Sequence, residues 1–140
     1  MIDKFEGEYA FLSNFYDCPV NYGLTYRNSE AAFQAMKDPC RDIEFINLNA
    51  SRAKALGRKV KLRSDWEEIK DTIMLEVLRC KFDTNPGLKE KLIATGDEFL
   101  VEGNTWGDTY WGVCNGKGRN NLGHLLMKVR DEYATSKTKG

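Results

Sequence analysis

The sequence predicts an α+β fold, a single compact domain over residues 1–140 that is mainly helical with a small antiparallel sheet. Three observations carry that reading. Apolar residues recur at spacings of three and four from Trp66 to Phe82, and again from Leu122 to Val129, which is the period of a helix with one buried face. Pro19, Asn21 and Gly23 supply turn chemistry between two short segments of strand character. At 140 residues, 41% hydrophobic and 30% charged, the chain is long enough to bury a core without disulfides or metals. No internal repeat, low-complexity linker or shift in composition divides it.

Taken in order, the aromatic run YAFLSNFY from Tyr9 to Tyr16 reads as a strand or extended segment, interrupted by Ser13 and Asn14. CPVNYGLTYRN then makes an irregular hairpin, with Leu24 to Tyr26 as a short strand. Ser29 is the expected N-cap of a helix from Glu30 to about Lys37, ending before Pro39. Ile43, Phe45, Ile46 and Leu48 mark a short helix or turn, and Ser51 is the expected cap of another helix ending at Gly57. Ser64 and Glu67 stand in the spacing of a capping box ahead of a core helix to about Phe82, which buries Trp66, Ile69, Ile73, Val77 and Cys80. Leu88, Leu92 and Ile93 give a short helix between Pro86 and Gly96. EFLVE reads as a strand with TYWGV as its returning partner. The final helix spans about Asn121 to Tyr133, followed by a polar, frayed TSKTKG tail.

Composition narrows the function classes. No apolar run approaches the roughly 18 residues of a membrane span, and the N-terminus has no secretory pattern, so a cytoplasmic protein with no membrane association is expected. Cys18, Cys40, Cys80 and Cys114 are widely spaced and the single histidine is His124, so free buried thiols are expected in place of a metal site. The formal net charge of zero gives the molecule no general attraction for polyanions. Locally, Arg52, Lys54, Arg58, Lys59, Lys61 and Arg63 form a basic run with no acid between them, which suits either a solvated face or phosphate contact.

The stretch EGNTWGDTYWGVCNGKGRNNLG, from Glu102 to Gly123, concentrates six of the twelve glycines and two of the three tryptophans. Glycines let backbone amides approach a ligand, tryptophans offer stacking faces, and Lys117 and Arg119 precede a helix N-terminus where amides favour an anion. A nucleotide-like ligand is one reading; glycine turns with core tryptophans is the other. The spacing matches neither a Walker A loop nor a dinucleotide fingerprint, and His124 falls in the apolar repeat of the last helix, where a structural role fits better than a place in a catalytic triad. Glu30, Phe33, Gln34 and Lys37 fall at i, i+3, i+4 and i+7 on one helix face. An acid and an amine there either complement the helix dipole at the surface, the slightly favoured reading, or line a site. Cleavage of a ribosyl N-glycosidic bond needs little more than such a carboxylate, a group to direct water and contacts to the sugar.

FLSNFY, NSEAAFQAMK, ALGRKVKLRSDWEEIKDTIM, LRCKF and TYWGVCNGKGRNNLGHLLMKVR together resemble, over nearly the whole chain, the NADAR family, whose bacterial YbiA-like members are N-glycosidases. The resemblance implies hydrolysis of an N-glycosidic bond to a ribose phosphate, without a cofactor or metal. Its substrate classes are ADP-ribose on guanine in nucleic acid or nucleotides, and small phosphoribosyl intermediates of riboflavin synthesis. Some relatives are antitoxins paired with a DNA ADP-ribosyltransferase. Position by position, Glu30 matches the catalytic acid, Lys37 an amine that binds phosphate or ribose or captures opened ribose C1 as a Schiff base, and Asp108 an acid that orients water or a ribose hydroxyl. Asn14, Phe33, Gln34, Trp66, Trp111, Gly112, Gly116, Lys117, Gly118 and Asn120 match the substrate-binding positions, although Trp66, judged by its place at the start of a core helix, fits a packing anchor better. The expectation is a monomeric hydrolase that removes ADP-ribose from guanine. Hydrolysis of riboflavin precursors and a non-catalytic ADP-ribose-binding module are the alternatives.

Overall fold

The computed structural model describes residues 1–139, with side chains described through residue 136. The class is α+β, mainly helical, as expected. Contacts gather the chain into two compact units, a central one from Asn14 to Pro86 and a terminal one that combines Met1–Ser13 with the chain from Gly87 onward.

In the central unit, β1 (Asp17–Tyr22) and β2 (Leu24–Asn28) form the expected antiparallel hairpin, with Val20 opposite Tyr26 and a bulge between Asp17 and Val20. Pro19 sits in the bulged stretch, where a missing amide is tolerated. Cys18 and Val20 on β1, and Tyr26 and Asn28 on β2, point inward at the alternation of a one-faced sheet.

Helix α1 (Ser29–Ala35) packs against both strands, against α2 (Ala50–Gly57) and α3 (Trp66–Thr84), and against a 3-10 helix at Pro39–Phe45. Every residue of α1 is buried, so no face of it is left to solvent. Its N-cap is Asn28, not Ser29: Asn28 Oδ1 accepts from the Ala31 amide at 2.8 Å. The Ser29 hydroxyl instead donates to Asn14 Oδ1 at 3.0 Å. The same correction applies to α2, where Asn49 Oδ1 accepts from the Arg52 amide at 2.8 Å and Ser51 lies inside the helix.

Helix α3 begins without the expected capping box. Glu67 accepts from Lys70 at 2.6 Å, and the Asp65 carboxylate is held by Arg63 Nε at 2.7 Å. These ion pairs occupy the side chains that would otherwise cap. The buried stripe of α3 is Trp66, Ile73, Met74, Val77, Leu78 and Phe82, joined by Lys81, which the apolar period did not flag. Full burial of a side chain such as Leu78 or Phe82 stabilises the fold by about 1.5–3 kcal/mol each.

The terminal unit departs further from expectation. Gly7–Leu12 is a 3-10 helix and not a strand; the Tyr9 amide donates to Glu6 O at 3.0 Å, and Phe11 and Leu12 turn inward. EFLVE and TYWGV do not pair as a hairpin. Leu100 bridges Ile2, and the pairing that exists is a parallel two-residue contact between β3 (Gly103–Asn104) and β4 (Val113–Cys114). The reason is Asn120, whose amide accepts from Glu102 N at 2.9 Å and donates to Leu100 O at 2.8 Å, taking the groups a partner strand would use. Helix α4 (Pro86–Ala94) buries Leu92, and α5 (Asn121–Lys139) buries Leu122, Leu126 and Val129. The backbone of α5 is helical to Lys139, past the expected end near Tyr133; Gly140 lies outside the described residues. His124 is exposed on α5, edge-on to Phe99 at 5.7 Å between centroids, and is not part of the buried stripe.

The four cysteines are free. Cys18 and Cys114 are buried, but Cys80 is only half-buried and Cys40 is exposed, so burial does not extend to all four. No helix among the described residues is long and apolar enough to cross a membrane.

Candidate active site

Helix α1 carries Glu30 and Gln34 one turn apart, and both are buried, at 8% and 5% exposure. That overturns the slightly favoured surface reading of Glu30. The two side chains meet: Gln34 Nε2 donates to Glu30 Oε1 at 2.8 Å, the i, i+4 contact their spacing allows. Asn14 fixes the start of the helix from the preceding segment, its carbonyl accepting from the Glu30 amide at 3.1 Å. Glu30 is thus held at its backbone by Asn14 and at its carboxylate by Gln34.

The other end of Gln34 explains Gly57. A Cβ built on Gly57 would stand 2.8 Å from Gln34 Cδ and nearer still to Oε1. Only a glycine lets α2 approach this closely. Gln34 Oε1 accepts no hydrogen bond among the described residues, so the amide is oriented by its donation to Glu30 and by the flat backbone of α2.

Lys37 lies in the turn just past α1, its amide bonded to Gln34 O at 3.1 Å and its carbonyl accepting from Arg63 N at 3.0 Å. Its side chain is half-buried, with Nζ 5.8 Å from the centre of the Trp66 ring. Trp66 in turn packs on Phe33 at 5.0 Å between centroids. Burial holds the Lys37 amine below the ordinary lysine range; Glu30 opposes that, and the cations Arg58, Lys54 and Lys70 reinforce it. Asn14, Glu30, Phe33, Gln34, Lys37 and Trp66 therefore gather around α1 in the central unit.

Asp108, Trp111, Gly112, Gly116, Lys117, Gly118 and Asn120 lie in the terminal unit. Asp108 Oδ1 accepts from the amides of Tyr110 at 3.1 Å and Trp111 at 2.9 Å, so this oxygen shapes the turn that presents Trp111. Trp111 stands edge-on to Tyr110 at 4.8 Å, and Arg119 lies 5.4 Å over the Tyr110 ring. Gly112 and Gly118 serve close approach within the chain: a Cβ on either would collide with a backbone carbonyl, that of Glu102 or of Gly112. Gly116 and Lys117 are exposed at the loop tip, and the Asn120 side chain is committed to the Leu100 and Glu102 backbone.

The anion site expected at the start of α5 is not available there. The amides of Asn121 and Leu122 donate to the carbonyls of Tyr110 at 3.2 Å and Trp111 at 3.0 Å. Sequence reasoning passed over Glu102, whose Oε2 accepts from Asn104 Nδ2 at 3.0 Å over Gly112. Its only signal was an acid ten residues before a glycine, which is none in practice.

Two open grooves contain none of these residues. One, of about 790 Å³, runs along α5 past Phe99, His124 and Asp131; the other, of about 410 Å³, follows the hairpin past Cys18 and Arg27. Among the described residues no group of His, Cys, Asp and Glu side chains could hold a metal ion.

Known proteins resemble this chain along its length. The N-glycosidase YbiA of Escherichia coli is 38% identical over 137 residues, covering 93% of this chain and 85% of that protein. The NMR structure of E. coli YbiA superposes with a TM-score of 0.85 at 35% identity, covering 100% of this chain and 90% of that one. A riboflavin biosynthesis protein of Vibrio vulnificus is 38% identical over 131 residues, covering 89% of this chain but 35% of that longer protein. The fold and these relatives define an N-glycosyl hydrolase. Residues 2–134 match the NADAR domain, and the chain belongs to the NADAR family.

Proposed function

We propose that the protein cleaves the bond between ribose C1 and a base, most specifically the bond joining ADP-ribose to guanine in DNA or nucleotides. The observation that carries it is the buried Glu30 carboxylate, oriented by Gln34 at 2.8 Å, whose charge is felt by the half-buried amine of Lys37. A carboxylate held in a low-dielectric setting stabilises the positive charge that develops at C1 as the C–N bond lengthens. Water then adds its oxygen to C1, and its proton ends on the nitrogen of the departing base. Lys37, with its amine held below the ordinary range, has a larger neutral fraction than a surface lysine and suits either hydrogen bonding to the sugar or attack on ring-opened C1. The exposed basic run of α2 and the segment after it favours a polyanionic substrate. A DNA ADP-ribosyltransferase is the class of enzyme that would generate it.

The test incubates the protein and its Glu30→Gln variant with a single-stranded oligonucleotide bearing ADP-ribosyl guanine, and follows free ADP-ribose by mass spectrometry. Release by the wild type and not by a folded variant is expected. An active Glu30→Gln enzyme would remove Glu30 from the mechanism. A second reading, hydrolysis of small phosphoribosyl riboflavin precursors, is favoured by the name of the Vibrio relative. It predicts turnover of the free phosphoribosyl compound and none of the oligonucleotide. Binding of ADP-ribose without release of any base would instead describe a binding module.

A further inference from the structure

We infer that Lys54 of α2 and Arg58 at its C-cap, together with Lys37, form a subsite for the phosphate or pyrophosphate carried on the ribose of the substrate. The choice of ligand rests on the N-glycosidase reading; the subsite itself rests on how α2 is placed. Ala53 and Gly57, one turn apart, are the buried face of α2, and Gly57 lies against the Gln34 amide that holds Glu30. Lys54 and Arg58 are the next residues round the helix, again one turn apart, so both stand on the flank beside that contact. Lys54 Nζ lies 6.0 Å from the ring of Phe15, a large apolar side chain that is 46% exposed.

The convergence is electrostatically unfavourable as it stands. Lys37, Lys54, Arg58 and Lys70 come from three helical segments, and the last three each act on Lys37 as like charges. Lys70 is partly neutralised by Glu67 at 2.6 Å. Among the described residues neither Lys54 nor Arg58 is within ion-pair distance of a carboxylate. Cations at the end of α2 complement its dipole, which accounts for Lys54 and Arg58 alone but not for the like charge of Lys37 within their reach. A phosphate dianion among these groups removes the repulsion and supplies charge-assisted hydrogen bonds. The rest of the basic run does not share this placement: Arg52, Lys59 and Lys61 are not among the charges that act on Lys37, and Arg63 is paired with Asp65 at 2.7 Å.

The experiment titrates inorganic pyrophosphate into the wild type, the Lys54→Ala/Arg58→Ala double variant and an Arg52→Ala/Lys59→Ala/Lys61→Ala control, by calorimetry at low salt. The control loses more charge, so a general field effect would weaken it most. Expected is binding by the wild type and control within about threefold of each other, and a loss of about tenfold or more in the double variant. Equal binding by double variant and control, or no binding by the wild type, overturns the inference. The source of the phosphate is read by turnover of a mononucleotide-sized substrate: a raised KM in the double variant supports a ribose-linked phosphate, whereas a loss confined to an oligonucleotide substrate assigns these residues to the strand backbone and overturns it. The titration needs no turnover, so a wild type that releases no base would refute the proposed function while leaving the subsite to be judged by pyrophosphate alone.

Discussion

Replacing Gly57 by alanine tests whether the approach of α2 orients the carboxylate of Glu30. The added methyl would lie 2.8 Å from Gln34 Cδ, with Oε1 nearer still, so the amide must retreat by about 1 Å. The retreat strains or breaks its 2.8 Å donation to Glu30. A hydrogen bond to a charged acceptor contributes about 1.5–3 kcal/mol. Working against that, alanine is favoured over glycine in a helix by about 1 kcal/mol at most, and less at the last helical position. The net expectation is a loss of about 1 kcal/mol or more, so the sign of the stability change decides which effect wins. On activity, a displacement of about 1 Å at a reacting group costs on the order of a hundredfold. The assay pairs thermal unfolding with kcat and KM for base release, in Gly57→Ala, Gln34→Ala and the double variant. Acting through Gln34, Gly57→Ala lowers kcat more than it raises KM, and the double variant is no worse than Gln34→Ala alone. A stabilised Gly57→Ala protein with unchanged kcat would refute the reasoning.

Two further predictions concern stability. Lys81 is fully buried and its amine is pushed down to about 8 from 10.5, chiefly by burial. Below about pH 8 both folded and unfolded chains carry the charge and the burial penalty is present in full; between about 8 and 10.5 the unfolded chain binds more protons, so stability rises with pH. The difference in Tm between Lys81→Met and wild type is therefore most in the variant's favour near neutrality and falls as pH rises through that window; a pH-independent difference would refute the assignment. Asn120→Ala removes two backbone partners and places alanine at φ 54°, for a loss of about 2–4 kcal/mol in urea unfolding. An unchanged midpoint would show that the Leu100 and Glu102 backbone finds other partners.

What the sequence made legible was periodic. The apolar stripes of α3 and α5, the Gly23 hairpin and the end of α2 at Gly57 all follow local rules, and all appear. Failures came where a polar side chain had two eligible partners. Ser29, Ser51 and Ser64 were each read as caps, yet an asparagine one or two residues earlier took the role at α1 and α2, and ion pairs drew away Asp65 and Glu67 at α3. The strand reading of EFLVE failed for a tertiary reason, since Asn120 lies eighteen residues from Glu102. For the site, the i, i+4 relation of Glu30 and Gln34 was visible, but their burial was not, because α1 is enclosed on every face and so shows no amphipathic period. Gly57 looked like a helix terminator, and only the contact with Gln34 gives it a second task.

The enclosure of α1 has a consequence for how activity is lost. A helix with no exposed face has no route to open alone, and its amides exchange with solvent only when the surrounding packing gives way. Glu30 therefore sits on an element whose lifetime is that of the central unit itself. Heat or denaturant has no partial, inactive but folded state of this helix to visit, so catalysis and the core around it are lost in one cooperative step.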